Sequence, residues 1–191
     1  MRLYIFAATL IITFPSLAAE LEGVTLADRV RVDGQELQLN GIALRTRMVF
    51  FKVYVAGLYL PERTTTVPAV LAAKGAKRIH LTMVRDADAD QFIESILTGM
   101  RLNHREEELE GVRQQTEELF AMIRKAAFAP TGTSIILDYQ PSQGGTTLFV
   151  DGKPAGKPMA GEEFFRVLLR IWLGEKPAQD DLKRALLGGE Q

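Results

Sequence analysis

Met48-Val49-Phe50-Phe51-Lys52-Val53-Tyr54-Val55-Ala56-Gly57-Leu58-Tyr59-Leu60 is the stretch whose reading decides the fold. It is rich in β-branched and aromatic residues, and apolar side chains fall on both parities. A strand of that kind is covered on both faces, which predicts a central place in a sheet. Upstream, Val30 and Val32 alternate with Arg29, Arg31 and Asp33, and Asp33-Gly34 supplies a tight hairpin turn. Leu37 and Leu39 alternate with Glu36, Gln38 and Asn40 on the return, before Gly41 marks a break. Residues 24–60 therefore read as strands.

Downstream the period changes. Residues 61–66 read as a loop, 67–73 as a short helix and 78–84 as a strand. Asp86-Ala87-Asp88-Ala89-Asp90 leads into a helix carrying Phe92, Ile93, Ile96, Leu97 and Met100 at helical spacing. A second helix starts near Arg105, with Leu109, Val112, Thr116, Leu119 and Ile123 on one face. After Pro130-Thr131-Gly132 the period returns to two, so 134–139, 146–150 and 153–157 read as a meander. Residues 162–173 form a helix apolar nearly all round, with Arg166 and Arg170 its polar stripe, and must pack on more than one side. Gly174 stops it, Pro177 follows, and Asp180 or Asp181 opens a last helix to Leu187. The pattern predicts an α+β fold, with helices grouped against a largely antiparallel sheet.

The N-terminus reads as targeting. Met1-Arg2, an apolar run over residues 3–14, Pro15 and small residues at Ser16 and Ala18 compose a secretory signal peptide. The run falls short of the ~20 residues that a bilayer-spanning helix needs. Cleavage is expected after Ala18 or Ala19, so 1–18 is leader and 19–191 a single domain, periplasmic or secreted. No stable membrane span is expected in the mature chain.

Of the 191 residues, 47% are hydrophobic and 25% charged, which argues for a folded chain rather than a disordered one. A net charge of -1 gives no reason to expect nucleic acid as partner. The absence of cysteine excludes disulfide scaffolds, thiolate metal sites and cysteine nucleophiles.

Most candidate chemistry has a simpler explanation. Asp86, Asp88 and Asp90 begin like a calcium loop, but Gln91 takes the glycine position and Leu97 the place of the bidentate glutamate. Helix capping explains these acids better. His80 and His104, the only histidines, have no second histidine at ligand spacing. None of the serines sits in a nucleophile elbow, and no phosphate loop or dinucleotide fingerprint follows a strand. No cofactor or metal is expected. What remains is Arg45 and Arg47 leading into the apolar strand. A cation there is either paired, facing a polar ligand, or at an edge or turn where it reaches solvent.

Two segments carry a family resemblance: residues 39–60, from Leu39-Asn40-Gly41 through the apolar strand, and Gly161-Glu162-Glu163-Phe164-Phe165-Arg166-Val167-Leu168-Leu169-Arg170-Ile171-Trp172-Leu173-Gly174. The chain resembles the chalcone isomerase-like family, in its exported bacterial branch, from about Glu22 to Gly188. The resemblance implies an open-faced β-sandwich, a large antiparallel sheet covered on one side by helices, with a ligand cleft between the layers.

It also implies site residues. The arginine that holds the substrate oxyanion in plant isomerases matches Arg45, and the threonine of the next strand matches Tyr54. Their catalytic tyrosine falls on Phe92, the following asparagine near Gly99, and the hydroxyl-bearing residue of the late helix near Ile171. An enone cyclisation needs hydroxyl donors to order water and stabilise an enolate. Phe, Gly and Ile supply none. An arginine in an apolar cleft suits instead a long apolar molecule with an anionic head, because guanidinium grips a carboxylate through two parallel hydrogen bonds. Relatives without catalysis bind fatty acids with an arginine and a tyrosine, which Arg45 and Tyr54 resemble.

The expectation is thus a non-catalytic binder of fatty acids or similar lipophilic carboxylates, with Arg45, Tyr54, Phe92 and Ile171 at the ligand. The alternatives are an isomerase or lyase on a phenolic enone, and a periplasmic interaction domain with Arg45 paired to a carboxylate such as Asp138 or Glu36. Positions 45 and 54 differ in parity, so one regular strand would point them to opposite faces. Sharing a cleft requires a bulge or turn near 46–48.

Overall fold

The computed structural model describes residues 18–48 and 50–189; all of the expected leader except Ala18 lies outside the described residues. β1 (Ala18–Leu21) and β2 (Val24–Ala27) form a hairpin of their own. β3 (Arg29–Val32) and β4 (Gln35–Arg47) pair through Asp33-Gly34, both in the left-handed region at φ 53° and 77°, which follows the twist of the strands. β5 (Phe51–Leu60), α1 (Val67–Ala72) and β6 (Lys77–Met83) come next. Short β7 (Ala87–Asp88) precedes α2 (Ala89–Asn103), α3 (Glu106–Glu110), α4 (Arg113–Ala126) and β8 (Phe128–Ala129), the partner of β7. β9 (Ser134–Gln140), β10 (Gly145–Val150), β11 (Lys153–Pro154) and β12 (Met159–Ala160) follow, then α5 (Glu162–Leu173) and α6 (Asp180–Leu186).

The main sheet is antiparallel, in the order β11-β10-β9-β6-β5-β4-β3, with β12 also on β10. β5 is central, as its two-sided apolar pattern requires. Tyr54, Ala56, Leu58 and Leu60 join the large core under the helices, with Phe164, Phe165, Leu168 and Trp172 of α5. Val55 and Tyr59 point the other way and meet Leu26, Val32, Leu37, Leu39 and Ala76. That second face is roofed by the β1–β2 hairpin: Leu26 lies so close to β5 that a Cβ on Gly57 would sit 2.5 Å from its Cδ1, and Tyr59 donates to Ala27 O at 2.9 Å. The helical layer covers one side of the sheet, in agreement with the expected α+β architecture.

Four local expectations are corrected. The strand expected from Met48 begins at Phe51, because the chain turns at Met48–Phe50; the turn contains no Gly, Pro, Asn or Asp to announce itself. β4 continues through Gly41, where the break becomes a register shift between Leu39 and Gly41. The amphipathic helix from Arg105 is two helices, divided at Gly111-Val112, since glycine is a poor helix interior. The last meander strand stops at Pro154, which has no N–H to donate to a ladder.

The aspartates of 86–90 act locally. Asp88 caps α2 by accepting from Asp90 N at 2.9 Å and Gln91 N at 3.2 Å, and Asp86 accepts from Thr131 N at 2.8 Å. Among the described residues no helix is long and apolar enough to cross a membrane.

Candidate functional site

β4 and β5 bring the two strand candidates together. Arg45 and Tyr54 are direct partners across the ladder, with a register shift immediately after Arg45. Residues facing each other across an antiparallel pair point to the same side of the sheet. Their unequal parity is thereby resolved: the turn at Met48 puts them on separate strands.

The other walls come from α2 and α5. A cleft of about 580 Å³ opens between the sheet and these helices, and Arg45, Tyr54, Phe92 and Ile171 all line it. Ile96 and Trp172 add apolar floor, and 176–178 form one rim. Gly99 permits the close approach of the two helices: a Cβ there would sit 2.7 Å from Ile171 Cγ2. Asn103 ties the rim to α2, donating to Gly99 O at 2.9 Å and Lys176 O at 2.8 Å and accepting from Lys176 N at 2.9 Å.

Arg45 is half-buried. Its guanidinium donates to Thr46 O, and to Gln179 Oε1 at 3.1 Å. The same Gln179 oxygen accepts from Thr46 N at 2.8 Å, so one amide at the start of α6 holds both the arginine and its backbone. Among the described residues no carboxylate lies within ion-pair distance of Arg45. Asp138 is held by Arg78 through two hydrogen bonds of 2.6 Å, and Glu36 by Arg29. Around the cleft Arg45, Arg47 and Lys176 stand against Glu94 alone, so the local field favours an anion.

Tyr54 is 7% exposed and accepts a hydrogen bond of 2.8 Å from Trp172 Nε1. Burial raises the phenol above its usual range, outweighing the lowering by the Trp172 bond and by the charge and hydrogen bond of Arg45. The group is a neutral donor, and among the described residues its proton has no acceptor. A cation without a carboxylate partner among the described residues, a neutral O–H beside it and an apolar floor can hold a carboxylate with a hydrocarbon chain.

Two contributors escaped the sequence reading. Trp172 neighbours Ile171, near which the resemblance places the late-helix position; the polar group that reaches Tyr54 is one residue on. The lone tryptophan in an apolar helix was the available signal, since a buried indole N–H requires an acceptor. Gln179 gave none, because a polar residue before a helix is commonplace. The histidines lie elsewhere: His80 Nε2 shares a hydrogen bond with Ser134 Oγ at 2.9 Å, and His104 Nε2 contacts Val167 O at 3.2 Å.

The chain resembles in fold the crystal structure of a fatty-acid binding protein of Arabidopsis thaliana. The TM-score is 0.69 at 13% identity, covering 90% of this chain and 96% of that one. At that identity the likeness is one of fold. A search of curated proteins by sequence finds no match. The family model described as chalcone isomerase-like matches residues 18–188, and on that match the chain belongs to the chalcone isomerase-like family.

Proposed function

We propose that this protein is a non-catalytic, exported binder of fatty acids or similar lipophilic carboxylates. The observation that carries this reading is Arg45: a half-buried guanidinium, opposite a buried tyrosine, opening on a cleft with an apolar floor and with no carboxylate of the described residues at ion-pair distance. The carboxylate takes N–H donors from Arg45 and the O–H of Tyr54, and the chain lies over Ile96 and Ile171 towards Phe92. Phe92 also borders a smaller apolar cavity of about 40 Å³ lined by Met83, Ile135 and Leu148. The fold shared with a plant fatty-acid binding protein supports the reading. The side chains at Phe92, Gly99 and Ile171 offer no hydroxyl for an isomerase. Export rests on the signal-peptide pattern of residues 1–18.

Native mass spectrometry after gentle purification tests it. The protein is expected to carry or take up a long-chain fatty acid, and Arg45→Ala to lose it while keeping the circular dichroism of the parent. A ligand-free spectrum that stays so when palmitate is added would refute the reading.

A further inference from the structure

The end of the β4–β5 hairpin breaks the usual composition of a turn. Exposed turns favour Gly, Asn, Asp and Pro, yet the sequence over 47–51 is Arg-Met-Val-Phe-Phe. Met48 is 79% exposed, Phe50 85% and Phe51 52%. Met48 also holds a left-handed φ of 47°, a conformation that favours glycine, and its carbonyl accepts from Phe50 N at 2.8 Å. Among the described residues nothing covers Met48 or Phe50 on so tight a bend, and Phe51 is half in water.

Cations frame them. Arg47 begins the turn, Lys52 follows it, and the guanidinium of Arg85 lies 5.5 Å from the centre of the Phe51 ring. Lys52 is paired with Glu22 at 2.6 Å; among the described residues Arg47 and Arg85 have no ion pair. Apolar tips flanked by arginines suit hydrocarbon beneath a layer of negative headgroups.

We propose that this hairpin tip docks on an anionic phospholipid bilayer, with Met48 and Phe50 entering the interface and Arg47 and Arg85 meeting the headgroup phosphates. Docking itself does not depend on the ligand assigned to the cleft. It does place the cleft mouth, which Arg47 also lines, beside the membrane. A lipophilic anion could then pass between bilayer and cleft without crossing bulk water.

Co-sedimentation of the purified full chain tests this, with vesicles of equal parts phosphatidylglycerol and phosphatidylcholine and with phosphatidylcholine alone. The chain is expected to bind the anionic vesicles, more weakly at high salt and on phosphatidylcholine. Met48→Ser/Phe50→Ser is expected to lose about tenfold or more of that binding. Its thermal midpoint stays that of the parent, because both side chains are exposed. Because the N-terminus is the same in both proteins, the difference between them reads the tip. No binding by the parent, or equal binding by the double variant, overturns the proposal. So does a concentration-dependent dimer that the double variant abolishes while vesicle binding is absent, which assigns the tip to a second copy of the chain. The double variant keeps palmitate uptake from solution in native mass spectrometry, so failure here and failure of the cleft reading are separable.

Discussion

Trp172 and Tyr54, 118 residues apart in sequence, share a buried hydrogen bond of 2.8 Å, indole nitrogen to phenol oxygen. The bond fastens α5 to the central strand at the floor of the cleft and fixes the phenol ring beside Arg45. Tyr54→Phe leaves the indole N–H without its acceptor and is expected to cost about 1–3 kcal/mol of stability. Trp172→Phe removes the donor and some volume, at a similar cost of about 1–3 kcal/mol. The double variant should cost less than the sum, read by urea unfolding of all four proteins. Strict additivity would show the two groups to be uncoupled.

Gln179 positions Arg45 without reaching into the cleft. Gln179→Ala removes the acceptor of Thr46 N and one of two acceptors of the guanidinium, and is expected to lower stability by about 1 kcal/mol. Fatty-acid affinity should weaken several-fold, short of the loss in Arg45→Ala, and isothermal titration with palmitate reads both. Unchanged affinity in the Gln179 variant would mean that Arg45 needs no tether.

At Gly99 the space is already taken. Gly99→Ala places a methyl 2.7 Å from Ile171 Cγ2, and overpacking of this kind costs about 1–3 kcal/mol. Shortening the neighbour in Gly99→Ala/Ile171→Val should recover part of it, as seen in thermal midpoints. A stable single variant would show that the helices separate freely.

His80 should make stability depend on pH. Burial, and after it the charge of Arg78, pushes the imidazole from 6.5 down to about 4. The unfolded chain therefore takes up a proton that the folded chain refuses until about pH 4. The contribution of the neutral ring is complete above pH 6.5 and is lost as pH falls across that window. The thermal midpoint of the parent is expected to fall more steeply there than that of His80→Gln. Parallel curves would remove His80 from the account.

Periodicity made the layers legible: α5 occupies the predicted 162–173, and the two-sided pattern of β5 required a cover on each face without showing that a β1–β2 hairpin supplies the second. What periodicity hid was the reversal between β4 and β5, since the residues there are strand formers and only the pairing of the two strands shows it. The same blindness left the relation of Arg45 to Tyr54 undecided, because parity speaks for one strand and not for two. Gln179 was illegible for a related reason: its role exists only when residues 133 and 134 positions away arrive beside it.

Those separations have a consequence for when the cleft comes into being. Arg45 and Tyr54 emerge early in the chain, Trp172 and Gln179 near its end, and the last helix is closed onto β4 by Asn40 donating to Leu186 O across 146 residues. Until the C-terminal segments arrive, the walls of the cleft are not assembled. A ligand that touches both ends therefore recognises only the finished fold and, by mass action, draws the folding equilibrium towards it. On the proposed function, a ligand in the cleft would certify completed folding and register as a rise in the thermal midpoint.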